Sequence, residues 1–145
     1  MAELLRPSTV LPAIRKPIEF TTADGLKLVG EVATPIGERV ATLLTFHPNP
    51  TGGGMMDSHI YKKAANRLPA LAGLEVVRFN TRGTTSAAGT SEGTYDDGDA
   101  EVHDVEAAIK FAVEELGADN LWVVGWSFGT GLALRHAKDS HVRGL

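Results

Sequence analysis

Leu121-Trp122-Val123-Val124-Gly125-Trp126-Ser127-Phe128-Gly129-Thr130-Gly131-Leu132-Ala133-Leu134 is the stretch whose reading decides the fold. It opens with an apolar run of strand-forming residues, passes through a serine between two glycines, and continues into small and apolar residues that suit a helix. A strand, a sharp turn and a helix in that order put the serine at the apex. Its hydroxyl is then pushed into solvent, with the positive end of the helix dipole beside it. A serine nucleophile needs this placement. Gly125 and Gly129 have a steric reason to flank Ser127, because strand and helix backbones pass so close at such a turn that a Cβ would collide.

Two earlier runs have the same character. Val40-Ala41-Thr42-Leu43-Leu44-Thr45-Phe46 and Leu74-Glu75-Val76-Val77-Arg78-Phe79 are apolar nearly throughout, as central parallel strands covered on both faces would be. Helical patterns lie between them. Ile60, Ala64, Leu68 and Leu71 share one stripe of a segment that Asp57 or Ser58 caps, and Pro69 demands a kink or an early end. Asp99 opens a longer helix with Val102, Val105, Ala108, Ile109, Ala112, Val113 and Leu116 inward, stopped by Gly117. Gly83 to Gly98, rich in Thr, Ser, Gly and Asp, is a long loop.

Upstream, Ile18-Glu19-Phe20-Thr21 and the alternating run Leu26 to Ala33 flank an Asp24-Gly25 hairpin turn, which makes an antiparallel ribbon at one sheet edge. Residues 1–17, with Pro7, Pro12 and Pro17, read as an irregular or extended lead-in, and 18–145 as one domain. The order of elements predicts an α/β fold, a doubly wound and mostly parallel sheet of about six strands with helices on both faces. His141 to Leu145 look like the opening of another parallel strand, cut off before it can pair, so the fold is expected to be incomplete.

Composition narrows the classes. An apolar fraction of 43% with 22% charged residues is that of a globular chain, and no apolar run approaches the ~20 residues of a membrane span. No membrane role is expected. A net charge of −4 supplies no clustered cations for phosphates, which argues against a nucleic-acid surface and favours small-molecule partners. The first residues lack a secretory signal, and zero cysteines exclude disulfides and thiolate chemistry; both fit a cytoplasmic protein.

The loops at the carboxyl ends of the strands are where an open α/β sheet places ligands. Three qualify: His47-Pro48-Asn49-Pro50-Thr51-Gly52-Gly53-Gly54, the loop beginning Asn80-Thr81-Arg82-Gly83, and the turn at Ser127. Taken together they resemble a known family. Gly125-Trp126-Ser127-Phe128-Gly129 is similar to the nucleophile elbow of α/β-hydrolases. His47-Pro48-Asn49-Pro50 with Gly52 and Gly53 resembles the oxyanion loop of a subgroup of small bacterial hydrolases, and Arg78 to Gly83 with Ser91-Glu92-Gly93 the loop after the fourth strand in that subgroup. The Thr84 to Gly89 segment departs from the family's tighter turn.

The resemblance implies acyl transfer to Ser127 in an esterase-like serine hydrolase, with the backbone N–H groups of Phe128 and Asn49 binding the oxyanion and His47, Pro48, Gly52 and Gly53 supporting the loop. Pro48 and Pro50 have no N–H to give, which leaves Asn49 as the donor. No cofactor or metal is implied. The family's acid and histidine follow the nucleophile at later strand ends, whereas Asp139 and His141 lie at the far end of the helix after Ser127, ~15 Å away if that helix has about ten residues. They are not expected to complete a triad, and the chain alone is expected to be weakly active or inactive.

Other readings compete. His47 as a substitute base is weighed against a role in holding backbone groups, and the latter is favoured. His59, His103 and His136 are read as surface or packing residues. The acidic run Glu92, Asp96, Asp97, Asp99, Glu101 and Asp104 lacks the pattern of a calcium loop and is read as a solvated segment with favourable charge at a helix N-terminus. Gly125-x-x-x-Gly129-x-Gly131 also matches a short-chain-dehydrogenase nucleotide turn, but no acidic ribose ligand follows and neither Tyr61 nor Tyr95 has a lysine at the required spacing. A third reading is a noncatalytic or fragmentary hydrolase fold that self-associates through an exposed C-terminal strand edge.

Overall fold

The apolar runs become the centre of one sheet. In the computed structural model, which describes residues 4–145, the strands are β1 (Ile14–Thr21), β2 (Lys27–Thr34), β3 (Ala41–Phe46), β4 (Leu74–Phe79), β7 (Leu121–Gly125) and β8 (Val142–Gly144), in the spatial order β1-β2-β4-β3-β7-β8. A separate two-stranded ribbon, β5 (Thr85–Ser86) and β6 (Gly89–Thr90), lies in the loop after β4. β1, β2 and β4 pair antiparallel, and β4, β3, β7 and β8 run parallel. The expected α/β architecture is therefore present, with six strands in the main sheet.

The helices α1 (His59–Ala72), α2 (Val102–Glu114) and α3 (Phe128–His136) divide between the faces. Leu44, Phe46, Val77, Phe79, Leu121 and Val123 point to one side, where Val105, Ala108 and Ile109 of α2 and Leu132 and Ala133 of α3 complete the main core. On the other side Ala33 and Val76 pack against Ala65 of α1. The chain leaves β3 for β4 on one flank and returns to β7 on the other. Strand order thus reverses at β3, and the crevice at the carboxyl ends of β3 and β7 is where such a sheet opens a site.

Several expectations shift. β1 begins at Ile14, four residues before the expected start, with Pro17 inside it opposite Glu31. An edge strand with one neighbour tolerates a residue that has no N–H. The stripe of α1 is displaced by one residue: Tyr61, Ala65 and Pro69 are buried, while Ile60 and Leu71 are 53% and 49% exposed. The displacement seats the Tyr61 ring under the sheet, with its hydroxyl on two strand carbonyls. Pro69 lies within the helix, which ends three residues later at a left-handed Gly73. Neither expected cap closes α1, because Ser58 Oγ accepts the Met55 N–H and Asp57 pairs with Arg78.

β8 is not left unpaired. Val142 and Gly144 align with Leu121 and Trp122, with an irregularity between them. β7 is not covered on both faces either, since Trp122 and Val124 are 41% and 36% exposed opposite the buried Leu121 and Val123. The acidic run is only partly solvated. Glu101 is buried and accepts the N–H groups of Asp96 and Gly98, and Asp104 is buried against Arg82.

Arg82 ties the loop after β4 to the hairpin and to α2. Its guanidinium donates to Asp104 Oδ1 and to both oxygens of Asp24, and its backbone N–H reaches Asp104 Oδ2 at 2.8 Å. Removing one partner of a buried pair strands the other charge, which typically costs ~3–5 kcal/mol. Asp104→Ala is therefore expected to lower the free energy of unfolding in urea by about 3–5 kcal/mol. Asp24→Ala, on the half-exposed side of the same guanidinium, should cost clearly less; equal losses would refute this division of the network.

Candidate active site

Ser127 has φ 58° and ψ −115°, and only Asp97 among the described non-glycine residues shares its positive φ. Such strain, ~1–3 kcal/mol, persists only where the surroundings impose it. The imposing contacts are visible. A Cβ on Gly129 would lie 2.0 Å from the Phe46 carbonyl oxygen, and one on Gly125 would lie 2.5 Å from the Gly129 oxygen. The first turn of α3 is pressed against the end of β3, so the chain must reverse within Trp126 and Ser127. The Trp126 N–H donates to Phe46 O at 3.3 Å, and Gly129 and Thr130 donate back to Trp126 and Ser127.

Tyr61 fastens the same point from below. Its hydroxyl donates to Phe46 O at 2.9 Å, lies 3.3 Å from Val124 O, and is raised well above the usual phenol range by burial. The Trp126 ring sits above it, edge-on to both Tyr61 and His59. Sequence reasoning passed over Tyr61 in this role. The signal for it was its i, i+4, i+8 relation to Ala65 and Pro69, which marks the buried face of α1.

The loop after β3 comes to the same rim because β3 and β7 are neighbours. Asn49 precedes a short 3-10 turn, Pro50–Gly52, and its side-chain oxygen accepts the Thr51 N–H and hydroxyl. Its carbonyl accepts from Gly52 and Gly54. The backbone N–H groups of Asn49 and Phe128 make no hydrogen bond to protein among the described residues. Both lie at the carboxyl end of the β3–β7 pair. Gly53 has φ 90°, which favours glycine, but Gly52 faces open space. The steric demand falls instead on Gly54, whose Cβ would lie 2.1 Å from Pro48 O.

His47 is buried, 1% exposed, and fully used. Its Nε2 accepts the Thr81 N–H at 3.1 Å, which puts the proton on Nδ1, where it donates to Pro48 O at 2.8 Å. The imidazole joins the loops after β3 and β4. Burial holds its pKa below the ordinary histidine value.

Asp139 and His141 are bonded to each other, Oδ1 to Nδ1 at 2.7 Å, just ahead of Val142, which pairs with Leu121 at the start of β7. Ser127 follows the other end of that strand. Five strand residues at ~3.3 Å each separate the two rims. Among the described residues no three histidines or acids converge as a metal site, and no helix is long and apolar enough to cross a membrane.

Comparison with known proteins agrees with this geometry. The family described as alpha/beta hydrolase fold matches residues 46–145. This chain belongs to the α/β-hydrolase fold family. An α/β serine hydrolase without a lid from Xanthomonas campestris is similar at 32% identity and a TM-score of 0.73, over 90% of this chain and 58% of that one. A Coxiella burnetii α/β serine hydrolase homologue matches at 29% identity and 0.72, over 86% of this chain and 58% of its own. A Pyrococcus furiosus esterase, at 23% identity and 0.73, shares the fold over 96% of this chain and 56% of its own. The chain therefore spans little more than half the length of these relatives. No curated protein matches it in sequence.

Two outcomes follow for this rim. Gly129→Ala drives a methyl into the Phe46 carbonyl and is expected to cost at least about 1–3 kcal/mol in urea unfolding, against less than about 0.5 kcal/mol for Gly52→Ala. His47 stays neutral in the fold below pH 6.5, where the unfolded chain gains a proton, so its contribution is complete above that pH and declines as pH falls toward its lowered native value. The stability advantage of the wild type over His47→Gln should therefore shrink between about pH 7.5 and about pH 5, and a gap that widens there would contradict it.

Proposed function

We propose that this chain carries the nucleophile and oxyanion hole of a serine hydrolase that cleaves carboxylic esters. The strained, solvent-exposed Ser127 at the head of α3 is the observation that carries the reading. Ser127 Oγ forms a bond to the acyl carbon, and the carbonyl oxygen takes the developing charge. The N–H groups of Phe128 and Asn49 receive it. The carbon–oxygen bond to the leaving alcohol then breaks and the alcohol departs with the proton that Ser127 gave up; water next bonds to the acyl carbon, the bond to Ser127 Oγ breaks, and Oγ regains a proton from that water as the acid leaves. Each such donor contributes ~3 kcal/mol in transition states of this type. The Xanthomonas relative is a serine hydrolase and the Coxiella relative a serine hydrolase homologue, which supports the reading, and the His47-Pro48-Asn49-Pro50 loop favours the subgroup of small bacterial hydrolases. We place the activity in the cytoplasm, in keeping with the absence of cysteine.

The 145 residues do not bring Ser127 a partner from Asp139 and His141 on the far rim, or from His47, whose two nitrogens are engaged. Without a base the serine is activated only by its hole and its helix, a deficit of several powers of ten in rate. A fluorophosphonate probe is expected to label the chain slowly, and Ser127→Ala to abolish the labelling. Labelling that survives Ser127→Ala would overturn the assignment of the nucleophile. Rapid labelling of the 145-residue chain would overturn the claim that the described residues give Ser127 no base.

A further inference from the structure

Ser127 separates two aromatic residues whose rings go to opposite faces of the sheet. Trp126 lies edge-on to His59 and Tyr61 of α1. Phe128 packs on the other face, against the core that α2 and α3 complete. There it meets Tyr95, with ring centroids 5.4 Å apart and planes tilted by 54°. Both residues of this second pair are half-buried, so each keeps surface open to solvent beside the nucleophile.

Tyr95 comes from the long loop after β4, and that loop is fixed on both sides of it. Ahead of the ring, a Cβ on Gly83 would lie 3.0 Å from Tyr95 N. Beyond it, Gly98 O lies 2.7 Å from His136 Nε2, Asp99 pairs with Arg135 at 2.7 Å, and buried Glu101 accepts the N–H groups of Asp96 and Gly98. Tyr95 thus reaches from the loop after β4 to the head of α3, and β3 lies between β4 and β7. Its ring borders the crevice at the carboxyl end of β3. The Tyr95 hydroxyl donates to Asp97 Oδ1 at 2.9 Å, and Asp97 holds a positive φ of 53°. Backbone strain of this kind gathers at ligand sites, and here it fixes the direction of a half-exposed ring.

We infer that Tyr95 and Phe128 form a wall of the substrate crevice that takes a neutral aryl group of the ester, with Tyr95 as the specificity-determining residue. Two rings tilted against each other hold a flat apolar group by burial and by edge-to-face contact. The Asp97 carboxylate at the outer edge of Tyr95 disfavours an anionic substituent there. The Phe128 ring and the Phe128 N–H belong to one residue, so a group lying on this wall is held beside the carbonyl whose oxygen that N–H receives. In its consequence for rate the wall rests on the assignment of Ser127 as nucleophile; the binding of the aryl group does not.

The test uses the 145-residue chain carrying Ser127→Ala, so that esters bind without turnover, and follows its aromatic-ring NMR signals during titration. Phenyl acetate is expected to shift the Tyr95 and Phe128 ring signals saturably. Methyl acetate, which lacks the ring, and 4-carboxyphenyl acetate, which adds a charge, should each need at least about threefold more ligand. Adding Tyr95→Leu, which keeps apolar bulk, should raise the half-saturating phenyl acetate about three- to tenfold and leave methyl acetate unchanged. Adding Tyr95→Phe, which keeps the ring, should change neither by more than about twofold. A Tyr95 that only stabilises the loop would move both esters together. With Ser127 intact, a phenyl-bearing phosphonate should label faster than its methyl counterpart, by a ratio that Tyr95→Leu reduces about three- to tenfold. Equal responses to phenyl and methyl acetate, or shifts confined to His59 and Trp126, overturn the wall. Failure of both phosphonates to label the wild type overturns the nucleophile reading instead, and the ring shifts then decide on Tyr95 alone.

Discussion

The carbonyl of Phe46 is the point on which the architecture of the rim depends. It accepts the Trp126 N–H and the Tyr61 hydroxyl, and Gly129 packs against it at a distance that no side chain could share. Both lone pairs are used, and the remaining approach is closed by backbone. The helix α3 can begin in one place only, and the turn before it has no residue to spare. The positive φ of Ser127 is thus a consequence of packing between α3 and β3 rather than a local preference, since serine gains nothing from that conformation by itself.

Buried polar groups extend this constraint to the neighbouring loops. His47 links the loops after β3 and β4, Asn80 holds the Met56 N–H, and Arg82 joins the hairpin turn to α2 through Asp24 and Asp104. Each is desolvated, and each has its partners in place, which is the condition for such groups to give precision instead of instability. The body of the sheet is held by Leu44, Phe46, Val77, Phe79, Leu121 and Val123, which pack without direction. Hydrophobic burial sets where the layers lie, and the polar links set where the loops point.

This division explains what the sequence made legible. The three apolar runs, the hairpin at Asp24-Gly25 and the glycines around Ser127 announce themselves because their signals are local: periodicity, turn chemistry and a motif within five residues. The stripe of α1 was misplaced by one residue because Ile60 and Leu71 satisfy a helical period as well as Ala65 does; what selects Tyr61 is a pair of carbonyls on two distant strands. Asp104 looked like one more solvated acid because its partner lies twenty-two positions away. Gly54, not Gly52, carries the close approach in a run of three glycines, and nothing in the run distinguishes them until the turn at Pro50 is built.

Placing a serine and activating it are separate tasks, and the described residues bear on the first. The strain at Ser127, the unbonded amides of Asn49 and Phe128 and the links under them are all supplied by β3, β4, β7, α1 and α3, elements that close on one another through buried contacts. A base acts through one nitrogen and depends on pKa and reach, so it can come from an element that contributes little to the core. Asp139 and His141 make the point from the other side: they form the acid–histidine bond that a triad uses, but at the wrong end of β7. Residue types and a hydrogen bond are not enough; in a parallel sheet, the end of the strand decides which groups can meet.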